Sequence, residues 1–389
     1  MAKGTALITP KILTWARERL SLSIEEAAEH TKTKCENLMK WENGTSSPTI
    51  NQAKELANKL KIPYVYFFLS DPPQNIALPK NTDYRTPSNM PIPSASVELK
   101  ALLFDAIQRR DVMLDLYKQM ETEPPSFGCY YDEETSSDAD IITAINKLLS
   151  FPAKPPKSGD REAFNFFRKK FENIGILVFQ TNKIDKTEMR GVSIFYETFP
   201  IVIVNQKDSF HARIFTLFHE LVHLITRTAG ICDSSGMSEQ SKFQIELKCN
   251  HIAAEVLVPT VDFLNNQNVD HLLENWSDFT VRTLGNKYYV SREVIIGRLL
   301  TLEKITLKFY REKLEQYNNE YTNIRKVYSK GDFKKNPPVE ISVKIGKPYV
   351  QTVFNAYNQD LISLRDTVQY FDGLRTKHFE KLERMCFGG

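Results

Sequence analysis

No apolar run in the 389 residues, Phe199 to Val204 being among the longest, approaches the roughly 20 that a helix needs to cross a bilayer, so no transmembrane helix is expected. The amino terminus, Met1-Ala2-Lys3-Gly4 followed by Lys11, Arg17 and Arg19, lacks the apolar block and small-residue cleavage site of a secretory signal, and a cytoplasmic location is expected. Cysteine is scarce: Cys35, Cys129, Cys232, Cys249 and Cys386 are scattered, odd in number and without a C-x-x-C pair. That excludes a disulfide framework and a cysteine-built zinc site, and predicts reduced thiols. A large charge excess is missing too. With 51 basic and 48 acidic side chains the net charge is +3, too small for a general polyanion-coating protein, so any nucleic-acid surface must be local. Internal repeats and low-complexity tracts are absent.

What is present is ordinary globular material, 41% apolar and 25% charged, in a length that suits two or three domains. Residues 1–70 read as a compact helical module. Residues 71–159 form a proline-rich linker, with Pro72, Pro73, Pro79, Pro87, Pro91 and Pro93 in its first part and a helical stretch over 97–120. In residues 160–300 a helix (163–173) precedes three β-rich runs, Ile176 to Phe179, Val192 to Tyr196 and Ile201 to Val204, which predict a small meander. Two long helices follow, His211 to Arg227 and Lys242 to Val258, the second ended by Pro259. Residues 301–389 read as a helical carboxyl-terminal region. The expected fold class is mainly α with a small β-meander.

In the first module apolar positions recur three or four apart: Ile12, Trp15 and Ala16, then Leu20, Ala27, Ala28, Leu38 and Trp41. Ser23 and Glu26 make a capping box for a helix from Ile24 to about Glu29. Thr31 to Thr33 is a turn, a third helix runs from about Lys34 to Gly44, and Pro48-Thr49 opens a fourth. Two short helices around a tight turn can present the second to a DNA major groove. Lys32, Lys34 and Lys40 are then placed for phosphates and Asn37 for base edges. Residues 1–70 hold ten basic and seven acidic side chains, the whole chain's excess. The competing reading is a solvated helix face, since Glu36 and Glu42 share that helix, or a protein-interaction module.

The later helix carries the chemistry. Phe218-His219-Glu220-Leu221-Val222-His223 contains H-E-x-x-H, whose spacing puts His219 and His223 one turn apart on one face, able to share a zinc ion with Glu220 beside it. In apolar surroundings these polar groups would be costly to bury without such a reason. A catalytic zinc wants a third protein ligand, and Glu246 on the following helix is the first candidate. Glu255 and His251 compete with it by residue type. His30, His271 and His378 lack ligand-spaced partners, His211, eight residues before His219, is a minor candidate for a site role, and the aromatic run Tyr64 to Phe68 reads as packing. Residues 362–382 have the spacing of a second helix-turn-helix, for which a helical packing module is the simpler reading.

Two resemblances sharpen these readings. Leu22-Ser23, Ala28, Leu38, Trp41-Glu42-x-Gly44 and Pro48-Thr49 resemble the XRE (Cro-type) helix-turn-helix family over about 60 residues, with Lys32 where that family has a turn glycine and Lys34 where it has a small hydroxyl residue. H-E-x-x-H followed by Glu246-x-x-x-Asn250-x-x-Ala253-Ala254-Glu255-x-Leu257-x-Pro259 resembles the ImmA/IrrE family of metallopeptidases over residues 160–300. Arg190-Gly191-Val192-Ser193, Pro200 to Asn205 and Arg213-x-Phe215-Thr216-Leu217 also match its pattern, and Asp83-Tyr84-Arg85-Thr86-Pro87 resembles its junction with an XRE domain. The usual glycine of H-E-L-G-H is Val222 here. The resemblance implies an α+β zincin-like core, His219, His223 and Glu246 as ligands of Zn2+, Glu220 as general base and Asn250 as a residue orienting a ligand histidine. It implies a DNA-binding regulatory zinc endopeptidase that cuts a repressor-type transcription factor, with a DNA operator as second partner and no membrane; a homodimer is among the expected assemblies. The alternative is a transcriptional regulator or antitoxin-like protein that senses a partner without cutting it. A further option uses the helix-turn-helix as bait for a related repressor. The edge of the meander is where an extended substrate would add as a strand.

Overall fold

A computed structural model describes residues 4–73, 82–85, 95–132, 135–151, 155, 159–228, 239–266, 276–327 and 336–388. His271 and Cys232 lie outside these residues, as does most of the proline-rich stretch. By contacts the chain forms two compact units, residues 1–79 with 90–108 and residues 80–89 with 109–389. Residues 109–159 and 301–389, expected as linker and separate region, thus share a unit with residues 160–300. No helix among the described residues is long and apolar enough to cross a membrane.

The first unit holds α1 (Pro10–Arg19), α2 (Ile24–Thr31), α3 (Cys35–Glu42) and α4 (Ile50–Lys59), then a short 3-10 helix, Tyr64–Phe68. Local signals set the boundaries: the Ser23 side chain accepts from the Glu26 amide while Glu26 reaches back to Ser23, and Thr49 and Gln52 repeat that exchange at α4. Apolar faces of these helices close over Ile12, Leu13, Ala28, Leu38, Trp41, Leu56 and Phe67. Arg17 and Glu42 lock α1 to α3 through two bonds, Nε to Oε1 at 2.8 Å and Nη2 to Oε2 at 3.0 Å. Glu42 therefore faces inward and not onto the outer surface of α3.

The division between the units falls within α5 (Val97–Gln119). The second unit continues with α6 (Asp138–Leu148) and α7 (Asp160–Asn173). Its sheet is built from β1 (Thr82–Arg85), β2 (Leu177–Thr181), β3 (Gly191–Ile194) and β4 (Ile201–Asn205), and two long helices, α8 (Phe210–Thr226) and α9 (Glu239–Leu257), follow. After them come α10 (Thr260–Leu264), α11 (Asp278–Tyr288), α12 (Arg292–Thr301), α13 (Leu307–Val327), α14 (Pro337–Ile345), α15 (Lys347–Asn358), α16 (Leu364–Tyr370) and α17 (Phe379–Phe387). The architecture is mainly α with a small β element, as expected.

The sheet is not a meander. Its order is β1-β3-β4-β2, with β2 parallel to β4 and β3 antiparallel to β4. Residues 182–190 carry the chain from β2 past β4 to the far side, so β3 turns back on β4 and leaves β2 at the other margin. Of the 192–204 run, whose edge was expected to take an extended substrate, β3 is paired on its outer side with β1. Strands β2, β3 and β4 are buried at every position, which explains their near-continuous apolar runs. Helix α8 packs on β3, β4, α7 and α9, and every residue from Arg213 to Thr226 is buried. At the carboxyl end α14 packs on β2, where the buried Arg168 pairs with Glu172 and donates to Val343 O at 2.9 Å. Residues 362–382 hold α16 and part of α17, and Phe379 packs edge to face against Phe354 of α15 and against Phe371.

Candidate metal centre

Helix α8 begins at Ser209, whose side chain caps the Ala212 amide, and ends at Arg227 in a left-handed conformation. Between them the one-turn spacing brings His219 and His223 together, Nε2 to Nε2 3.0 Å apart. From α9, Glu246 reaches both imidazoles, with Oε2 3.3 Å from His219 Nε2 and Oε1 3.2 Å from His223 Nε2. Donors about 2.0–2.1 Å from a tetrahedral ion stand about 3.3 Å from one another, so this spacing fits a shared metal ion. Two imidazoles and a carboxylate suit a borderline cation such as zinc. The cluster could hold a metal ion, offering one ligand atom from each of its three residues.

Burial and charge act against each other in the cluster. Desolvation alone would lower His223, but the Cys249 thiol and the Glu246 carboxylate outweigh it and hold the imidazole well above its ordinary value. Burial alone would raise Glu246, yet the two imidazoles hold its carboxyl far below the usual range. The carboxylate stays charged, as a ligand to a cation must.

Several contacts around the triplet come from residues that sequence reasoning left without a role. His223 Nδ1 lies 3.0 Å from Thr228 Oγ1 and 3.7 Å from Cys249 Sγ, while Thr226 Oγ1 lies 2.9 Å from Thr228 Oγ1. Contacts of this kind fix which ring nitrogen is left for a metal. Ser193 Oγ donates to Glu220 Oε2 at 2.7 Å, and both residues are buried. The neighbouring Gly191 is required by close approach: a Cβ there would fall 2.2 Å from Thr216 Cγ2 and 3.0 Å from Glu220 Oε1. Cys249 was discoverable, because it follows Glu246 by three residues and so shares its helix face. Ser193 gave only a motif position.

The competing candidates lie elsewhere. Glu255 accepts from the Thr260 amide at 2.8 Å and from the Thr260 hydroxyl at 2.7 Å, and pairs with the buried Arg298. His251 is 3.8 Å from Asp138, and His211 is 3.2 Å from Asp160 and edge-on to Tyr289. Asn250 lines a cleft of about 400 Å³ with Arg190, Phe215, Leu247 and His251.

Residues 171–300 match the IrrE N-terminal-like domain family, peptidase M78. The match gives this segment a metallopeptidase-like fold. Among solved structures, a Mycobacterium tuberculosis transcriptional regulator aligns at 14% identity and a TM-score of 0.29, over 49% of this chain and 51% of its own. The alignment thus spans about half the length of that protein. No curated protein matches the chain.

In the first unit, α2 and α3 are joined through Lys32, which adopts the left-handed conformation at φ 55°, and Lys34, which occupies the N-cap without a side-chain cap bond. Lys32, Lys34 and Lys40 are exposed, and Lys40 Nζ sits 2.6 Å from Glu36 Oε1. Asn37 is half-buried and lines a small pocket with Lys32, Lys34, Gln52 and Glu55.

Proposed function

We propose that the chain is a zinc-dependent endopeptidase joined to a DNA-binding helical module, and that it hydrolyses a peptide bond in a regulatory protein such as a repressor. The observation that carries this reading is the His219, His223 and Glu246 triplet with Glu220 on the adjacent helix position. Three protein ligands leave a tetrahedral ion one position for water, whereas structural zinc sites usually close with four. A bound zinc supplies a Lewis acid that lowers the pKa of its water to about 7 and polarises a carbonyl.

The chain's own groups do the rest. Ser193 holds Glu220 Oε2, so the proton of the attacking water is taken at Oε1 as the C–O bond forms at the scissile carbonyl. The same carboxyl then delivers that proton to the departing amine as the C–N bond breaks. Thr228 and Cys249 hold the His223 ring from its Nδ1 side, while Asn250, proposed from the resemblance to orient a ligand histidine, lines the neighbouring cleft.

For the first unit, Lys32, Lys34 and Lys40 are proposed to meet phosphates and Asn37 a base edge. The Lys40–Glu36 pair does not preclude this, since an exposed pair is worth at most about 1 kcal/mol and re-partners readily. Tethering a peptidase to an operator raises its effective concentration near a bound repressor.

The test is a pull-down with Glu220→Gln, which keeps the shape of the side chain but cannot take the proton. The variant is expected to retain a partner that the wild-type chain cuts, identified by mass spectrometry as a DNA-binding regulator. Partner recovery at equal length from wild type and variant would favour sensing without proteolysis.

A further inference from the structure

Resting on the peptidase reading, the sheet topology points to what fills the substrate edge. Strand β3 is the strand that meets the catalytic helix most closely: Ser193 donates to Glu220, and Gly191 leaves no room for a Cβ between it and Thr216. One edge of β3 is paired with β4. The other edge is where an extended peptide would pair through its backbone and pass beside Glu220. That edge is filled by the chain itself. Thr82–Arg85 runs antiparallel along it in the register Thr82 to Ile194, Asp83 to Ser193, Tyr84 to Val192 and Arg85 to Gly191, so its four residues span both positions of β3 that flank Glu220.

We propose that the outer edge of β3 is a peptide-binding edge and that Thr82–Arg85 occupies it as an intramolecular stand-in for substrate, holding the peptidase off until an extended peptide displaces it. The described pairing covers four residues, and Pro79 and Pro87, which flank it in the sequence, have no N–H to donate to a ladder. As part of the same chain the segment competes at an effective concentration of about millimolar, so a dilute peptide without further contacts is excluded. His219, Glu220 and His223 are all within 1% of full burial, in keeping with a closed site. The exchange is purely non-covalent, one backbone ladder for another.

The experiment uses the full zinc-loaded chain and a fluorescent synthetic peptide spanning residues 78–90. In one variant residues 80–88 are replaced by glycine and serine at equal length. Asp83→Pro and Tyr84→Pro are two milder variants, and because alternate N–H groups of a strand face its neighbour, only one of them removes a ladder bond. The replaced chain should bind the peptide saturably and at least tenfold tighter than wild type, with amide exchange in β3 at least tenfold faster. One proline variant should follow it and the other should behave as wild type. Equal or absent binding in all chains with unchanged β3 exchange would overturn the proposal, as would two proline variants that behave alike. Casein cleavage measured alongside separates the two readings. No cleavage of casein, of the peptide or of a partner retained by Glu220→Gln, by any chain and with peptide binding as expected, removes the peptidase and keeps β3 as a peptide-binding edge. Cleavage by all chains at one rate removes the strand and keeps the peptidase.

Discussion

Replacing Gly191 by alanine tests how closely β3 must approach α8. The added Cβ would stand 2.2 Å from Thr216 Cγ2, whereas carbon atoms settle at about 3.5–4.0 Å, so roughly 1.5 Å must be found between β3 and α8. Both elements are buried at these positions and neither has free volume to give. Overpacking of this kind costs about 1–3 kcal/mol, and the rigid surroundings place this case near 3. At roughly 2 °C per kcal/mol for a unit of this size, thermal unfolding should drop by about 6 °C. The contact with Glu220 Oε1 at 3.0 Å should displace that carboxylate and lower any hydrolytic activity further. Denaturant unfolding of wild type, Gly191→Ala, Thr216→Ser and the double variant measures the effect, because serine keeps the hydroxyl and removes Cγ2. The alanine should cost at least 1 kcal/mol less in the serine background. An alanine variant within about 0.5 kcal/mol of wild type, or an unchanged cost in the Thr216→Ser background, would refute the close-approach argument.

Lys34→Ser should stabilise the start of α3 by about 1 kcal/mol, since the N-cap lacks a side-chain bond, and slowed amide exchange in α2 and α3 would show it. Lys32→Gly should add up to about 1 kcal/mol by relieving the left-handed backbone at φ 55°, a gain that denaturant unfolding reads. Glu255→Ala should cost about 2–3 kcal/mol, less than a fully buried pair because its side chain is 21% exposed, as read by denaturant unfolding. Zinc and pH are linked through His223. Its raised value gives stability that is present in full below the ordinary 6.5 and is lost as pH climbs through the folded value, whereas the lowered Glu246 loses its share only in acid. Chelated protein should therefore weaken as pH rises above the ordinary 6.5, and the gain in melting temperature on adding zinc should grow over the same rise as metal replaces the proton. A gain independent of pH would contradict the linkage.

Helix starts and stops were legible because their signals are local. The Ser23 capping box and the Pro259 stop need no partner outside their own turn. His219 and His223 were legible for the same reason, being one turn apart on one helix. The third ligand was open by residue type, and helix geometry explains the outcome: Glu246 and Glu255 are nine residues apart, about 180° around α9, so only one of them can face α8. The sheet order was not legible. Alternation and apolar runs announce strands but carry no record of which neighbours pair, and the parallel β2–β4 contact depends on the path of residues 182–190. Ser193 and Thr228 act through space on Glu220 and His223, at separations of 27 and five residues that no helical period connects. Glu42 reads in the sequence as part of the outer face of α3, and its pairing with Arg17 on α1 turns it inward.

The central claim is that His219, His223 and Glu246 hold one metal ion between α8 and α9. Native mass spectrometry of the full chain with zinc tests it most directly, through the mass added to wild type, Glu220→Gln, Glu246→Ala and Glu255→Ala. One zinc per chain is expected for wild type, Glu220→Gln and Glu255→Ala, with none retained by Glu246→Ala. Full occupancy in Glu246→Ala, or loss of zinc in folded Glu255→Ala, would contradict the assignment.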